Sequence, residues 1–379
     1  MADRRARASR RAAADSPAER RAVRARRVTA LALLALLAAA GAVAVVIAGG
    51  GSAGDSPVHR TAASLAAGTS HLTGAARSVG GPTPRRSAVA SQQSSFAVGL
   101  RVVRLIDRTR TIVAADGRRV PRPLLTYVRY PALGASGAAD LPDATPARAA
   151  GPFPLVVFGH GFAVTPTVYS RLLRSWARAG YVVAAPVFPL GNADAPRGPD
   201  ESDLPNQPAD MRFVISRMLA AGRATSGPFG GLIDGAGVAV AGQSDGGDTA
   251  LAAAYDPRLR DTRVKAAVIL SGAEIPSLGS FTFPPRGPAL LATQGTADTI
   301  NLPSETATFF RAAHAPKYLL RLLGAEHLPP YTVPSPQSRI VERVTRAFLD
   351  AYLKHRRGSL GRLSALGNVT ATAELLAQP

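Results

Sequence analysis

Val238-Ala239-Val240-Ala241-Gly242-Gln243-Ser244-Asp245-Gly246-Gly247-Asp248-Thr249 begins with four small apolar residues and then turns polar and glycine-rich. The apolar start predicts a short strand buried on both faces. An alanine-rich helical pattern follows over residues 249–255. A strand that turns sharply into a helix through G-x-S-x-G is a nucleophile elbow. The serine then sits in a strained backbone conformation that lifts its hydroxyl above the sheet. Gly242 and Gly246 flank it because a Cβ at either place would crowd the neighbouring strand and helix. The helix after Ser244 points its N-terminal partial charge at the place where an oxyanion would form.

Outward from this stretch, strand and helix signals alternate. Strands are expected at residues 100–107, 124–130, 155–158, 181–188, 265–270, 289–293 and 318–322. Helices are expected at 165–179, with Thr165 as N-cap, Pro166 first and Gly180 as the stop, and at 208–221, 304–313 and 337–353. The alternation predicts an α/β fold: a mostly parallel central sheet flanked by helices on both faces. Fewer than twenty residues separate the strands ending near Leu270 and starting near Ala289, so no large lid domain fits there and an open site is expected.

In such sheets ligands bind at the carboxyl ends of the strands. A serine needs a base, usually histidine. Of the six histidines, His59 and His71 lie in a low-complexity stretch, His314 ends a helix before Pro316, and His355 lies near the end of the last helix. His327 follows the strand at 318–322 and is read as the base. Asp298, just after the strand at 289–293, is read as the residue that orients it. Glu274 is an alternative, whereas Glu326 is expected to turn away from its neighbour His327. The oxyanion requires two donors, assigned to the backbone N–H groups of Asp245 and Phe162. Gly161 allows the turn, and His160 is read as a brace for that loop. Phe281, Phe283 and Leu328, with Phe162, are candidates for an apolar substrate wall.

The ends of the chain read differently. The formal charge is +20 over 379 residues, with 45 basic against 25 acidic side chains. Residues 1–27 carry ten arginines against Asp3, Asp15 and Glu19. They precede the uncharged run at 28–48, which is long enough to span a bilayer. Arginines on one side keep that side in the cytoplasm. The expectation is therefore a basic cytoplasmic arm (1–27), a transmembrane signal-anchor helix (28–48), a flexible linker rich in Ala, Gly, Ser and Pro (49–95), a catalytic domain outside the cytoplasm (96–354) and a loosely held basic tail (355–379). Cleavage near Ser52-Ala53-Gly54 would instead release the domain, and Arg26-Arg27 faintly suggests twin-arginine export. The chain has no cysteine, so disulfides and a lipobox anchor are excluded. Nucleic acid is not expected as a partner, because the basic arm is explained by the span. No metal cluster or dinucleotide fingerprint stands in the sequence, so no cofactor is expected.

With these residues placed, residues 96–353 resemble the α/β-hydrolase superfamily. The branch resembled contains dienelactone hydrolases, platelet-activating-factor acetylhydrolase-like enzymes and bacterial polyester hydrolases or cutinases. The likeness rests on Y-V-R-Y-P-A near Tyr130, F-G-H-G-F at 158–162, G-Q-S-D-G-G at 242–247, Q-G-T-A-D at 294–298 and A-E-H at 325–327. The order Ser244, Asp298, His327 is that of the superfamily. Many of its members carry histidine before the nucleophile, where this chain has Gln243. The resemblance implies a Ser-Asp-His triad that hydrolyses carboxylic esters, with a small-molecule or lipid ester as substrate. Two rival readings are an acyltransferase that passes the acyl group to a cell-envelope acceptor, and a non-catalytic envelope binding protein that kept the fold.

Overall fold

The computed structural model describes residues 95–379 except 280 and 357. The basic arm, the expected membrane span at 28–48 and nearly all of the expected linker lie outside the described residues. No helix among the described residues is long and apolar enough to cross a membrane.

The chain opens with two long strands, β1 (Ala97–Val113) and β2 (Arg119–Ala132), paired antiparallel. In β1, Val103 and Leu105 pack on the core while Val102 and Ile106 face outward, the period of two that a half-buried strand requires. A minimal strand β3 (Leu141–Pro142) lies beside β1. Then come β4 (Phe153–Gly159), β5 (Val182–Pro186), β6 (Ile233–Gln243), β7 (Val264–Leu270), β8 (Ala289–Gly295), β9 (Lys317–Leu322) and β10 (Ala373–Gln378). The sheet runs in the order β10-β9-β8-β7-β6-β4-β5-β2-β1-β3. Its centre, from β5 to β9, is parallel, and β2 and β10 join antiparallel at either side.

The helices are α1 (Ser170–Arg178), α2 (Gln207–Arg223), α3 (Asp245–Tyr255), α4 (Pro303–Ala312), the short α5 (Pro329–Thr332), α6 (Pro336–Leu353) and α7 (Gly358–Gly367). Consecutive residues of the central strands feed opposite faces of the sheet. Leu155, Val157, Val238 and Val240 meet Met211, Val214 and Ile215 of α2 on one side. Val156, Phe158, Ala239 and Ala241 meet Leu173 and Trp176 of α1 and Val344 and Phe348 of α6 on the other. Continuous small apolar strands are what a sheet covered on both faces needs.

Two expectations are corrected. Thr165 does not cap a helix: residues Pro166–Tyr169 form a 3-10 turn before α1, and the Thr165 hydroxyl meets Thr167 instead. The helix does stop at Gly180, whose φ of +92° suits glycine. Finally, the C-terminal segment is not a loose tail. Its α7 buries Leu363, and β10 pairs with β9 from Ala373↔Leu322 to Gln378↔Lys317. His355, Arg356 and Arg362 are exposed, while Leu363, Ala373 and Leu375 join the core.

Candidate active site

Ser244 stands between β6 and α3 with φ +55° and ψ −127°, a conformation that non-glycine residues rarely adopt. What holds it there is main-chain contact. A Cβ on Gly242 would lie 2.0 Å from the Gly246 carbonyl oxygen, and one on Gly246 would lie 2.1 Å from the Gly159 carbonyl oxygen. Strand β6, helix α3 and strand β4 therefore meet backbone to backbone, and neither position admits a side chain. The Ser244 N–H donates to Leu270 O at 3.0 Å and its carbonyl accepts from Asp248 N at 2.9 Å, fixing the turn from both sides.

The loop after β4 lies against the serine. A Cβ on Gly161 would sit 3.3 Å from Ser244 Cβ, so only glycine lets this loop come so close. His160 braces the loop from behind. Its Nδ1 lies 2.7 Å from the Gly161 carbonyl and its Nε2 accepts the Phe188 N–H at 2.9 Å. A carbonyl can only accept, so the proton is on Nδ1 and the ring is neutral. Burial drives its pKa down to about 4. The loop also pairs with the chain beyond β5, through Ala163 N to Gly191 O at 2.9 Å.

Asp298 and His327 reach each other from the ends of adjacent strands β8 and β9. A Cβ on Gly295 would lie 2.3 Å from the Ala325 carbonyl oxygen, so the two loops also touch at the main chain. His327 Nδ1 is 2.8 Å from Asp298 Oδ2. The same carboxylate accepts from the Gln294 side chain at 3.0 Å and from the N–H groups of Ile300 and Asn301 at 2.9 and 3.0 Å. Four donors leave the carboxylate little freedom to turn. Glu274, the alternative partner, is half-buried with its carboxyl pushed up by burial, and the contact to the imidazole is made by Asp298. Glu326 is exposed, turned away as its position suggested.

Ser244, Asp298 and His327 are only 2, 3 and 3% exposed. The connection from β7 to β8 holds no lid, only the 3-10 turn Pro276–Leu278. The loops that carry the site residues close on each other: Phe162 and Ala163 pack with Ile300 in a small apolar cluster of their own. The expected wall fares unevenly. Phe283 stacks on Tyr255, at the far end of α3 from Ser244, with ring centroids 4.8 Å apart, and belongs to the core. Phe281 packs near Leu204 and Leu278, and Leu328 enters the core beneath the site. Aromatic character alone did not distinguish a core position from a wall.

Several polar residues at the site were given no role from the sequence. Gln243 bridges Tyr169 to His327, with Tyr169 O–H to Gln243 Oε1 at 2.7 Å and Gln243 Nε2 to His327 Nε2 at 3.2 Å. The Tyr331 hydroxyl joins Ser271 and Thr293 at the ends of β7 and β8. Among the described residues no group of His, Cys, Asp and Glu could hold a metal ion.

Residues 138–271 match the sequence model of the family described as Chlorophyllase, a stretch that includes the Gly161 loop and Ser244 and stops short of Asp298 and His327. No curated protein matches the chain. The family match and the large mixed sheet flanked by helices together support an α/β-hydrolase superfamily esterase.

Proposed function

We propose that the chain is a serine hydrolase of carboxylic esters that works through an acyl-enzyme. The observation that carries this reading is the buried His327–Asp298 pair, 2.8 Å apart, whose imidazole faces Gln243, the residue before a serine held at φ +55° at the end of β6. His327 takes the proton of Ser244 at Nε2 while the serine oxygen forms a bond to the ester carbonyl carbon. The resulting oxyanion is met by the backbone N–H groups of Phe162 and Asp245. Collapse breaks the bond to the alcohol, which leaves with the proton from His327. Water, deprotonated by the same imidazole, then attacks the acyl-serine and releases the acid and the free hydroxyl. Asp298 keeps the imidazole in the tautomer that can accept at Nε2.

The reading extends to place. Ten arginines before the uncharged run at 28–48 support a single membrane anchor with the catalytic domain outside the cytoplasm, or release there after cleavage. The substrate is then a small-molecule or lipid ester that meets the domain outside the cell.

Hydrolysis of p-nitrophenyl esters of graded chain length by the full chain, with Ser244→Ala as control, tests the chemistry. Turnover that vanishes in the variant is expected. Turnover unchanged in the variant would remove Ser244 from the reaction. Acyl transfer to an added alcohol in preference to water would replace hydrolysis by transfer.

A further inference from the structure

Gln243 stands immediately before the nucleophile, 1% exposed, and its carboxamide is used at both ends. The Gly161 N–H donates to the Tyr169 hydroxyl at 3.2 Å, and that hydroxyl donates to Gln243 Oε1 at 2.7 Å. On the other side Gln243 Nε2 donates to the His327 main-chain oxygen at 3.2 Å and faces His327 Nε2 at 3.2 Å. The orientation of the amide is settled by its partners. The His327 carbonyl can only accept, so the nitrogen must face it, and the oxygen is left for the Tyr169 O–H. With an N–H pointing at it, His327 Nε2 is an acceptor, and the ring proton is on Nδ1 against Asp298.

We propose that Gln243 is a positioning residue that holds His327 as the neutral tautomer able to act as base, and so helps set the pH below which the site loses that base. The proposal deepens the esterase reading and rests on it for its catalytic meaning. While His327 is neutral, the amide N–H satisfies the Nε2 lone pair. Once Nε2 carries a proton, two donors oppose each other and the contact turns unfavourable. The groups around the ring that can titrate or carry charge are few. Asp298 lies on Nδ1, Tyr331 stands on α5 with its hydroxyl on Ser271 and Thr293, and Tyr169 lies behind Gln243. Asp245 follows the serine and Glu326 is exposed. Exchange of the Gln243 amide for the Ser244 hydroxyl on Nε2 is then a step that precedes proton transfer.

The test is a titration of His327 in the full chain by NMR on isotope-labelled histidine, assigned by comparison with His327→Asn. The wild type is set beside Gln243→Met, which keeps the length and removes both hydrogen bonds, and Gln243→Glu, which replaces the donor by a carboxylate. The midpoint is expected to rise by roughly half to one pH unit in the Met variant. In the Glu variant it should rise by roughly one to three units. The acidic limb of kcat/KM should move with it. Tyr169→Phe, which takes away the hydroxyl that orients the amide, provides a smaller shift of the same sign if the Glu variant does not fold. A midpoint that stays put in every variant, with activity and stability falling together, would overturn the proposal and leave Gln243 a packing residue. Fluorophosphonate labelling of wild-type Ser244 separates the two readings: shifted midpoints without labelling would sink the esterase and leave the positioning of His327 standing.

Discussion

Lowering the pH from 7 to 5 should weaken the fold through one side chain, His160. Its imidazole is buried and neutral, giving its Nδ1 proton to Gly161 O and taking the Phe188 N–H on Nε2. The folded protein holds its pKa near 4, because burial disfavours the charged ring. An unfolded chain protonates the same histidine near the ordinary value of about 6.5. As the pH falls, the unfolded state therefore takes up the proton first. Stability that is fully present above about 6.5 is lost as the pH drops, and the loss is complete below about 4. The gap of about 2.5 units corresponds to about 3 kcal/mol, of which about 2 kcal/mol is gone by pH 5. Carboxylates titrate in the same range, so the informative quantity is a difference. Urea unfolding of the wild type and of His160→Gln, followed from pH 7 to pH 4.5, should give stabilities that converge as the pH falls. The Gln variant has no proton to gain and lacks this part of the slope. A wild-type minus variant difference that does not change with pH would refute the account of a buried neutral ring.

Replacing Asp298 with Asn keeps the shape and removes the charge that fixes the imidazole, and kcat should fall by roughly 10³- to 10⁴-fold in steady-state ester hydrolysis. Gly246→Ala places a methyl group 2.1 Å from the Gly159 carbonyl oxygen. It should destabilise the domain by about 1–3 kcal/mol in urea unfolding, and displacement of the oxyanion loop should reduce kcat/KM by about 100-fold. Ending the chain before residue 358 removes α7 and β10 and uncovers the edge of β9. Thermal unfolding and light scattering should show a loss of about 3–5 kcal/mol, the worth of burying Leu363 and Leu375, together with aggregation. An unchanged melting temperature would mean that the segment adds nothing to the core.

The parallel sheet was legible in the sequence because its central strands are buried on both faces and so carry uninterrupted apolar runs, as at 155–158 and 289–293. The strand-end positions of Ser244, Asp298 and His327 were legible in the same way, and so was the pairing of the last two. What could not be read depends on contacts between distant segments. Gln243 stood out only as a departure from histidine; its hydrogen bonds to Tyr169 and His327 exist because the 3-10 turn before α1 and the β9 loop converge on β6. Phe283 looked like a wall because it is aromatic and near Leu270 in the chain, yet its partner is Tyr255, a full helix away from Ser244. The segment beyond Leu353 was misread because it opens on K-H-R-R-G-S-L-G-R, basic and broken by glycine, while apolar side chains farther along, Leu363, Ala373 and Leu375 among them, carry its docking.

The contact of β6, α3 and β4 through Gly242, Gly246 and Gly159 has an evolutionary consequence. Side chains in the surrounding core can be exchanged, as hydrophobic cores tolerate when volume is kept, without passing that change on to the serine. The nucleophile takes its coordinates from peptide groups common to all residues, so lineages can drift widely in their packing while the reactive centre stays in register. A short glycine signature can then outlast most other similarity in the chain.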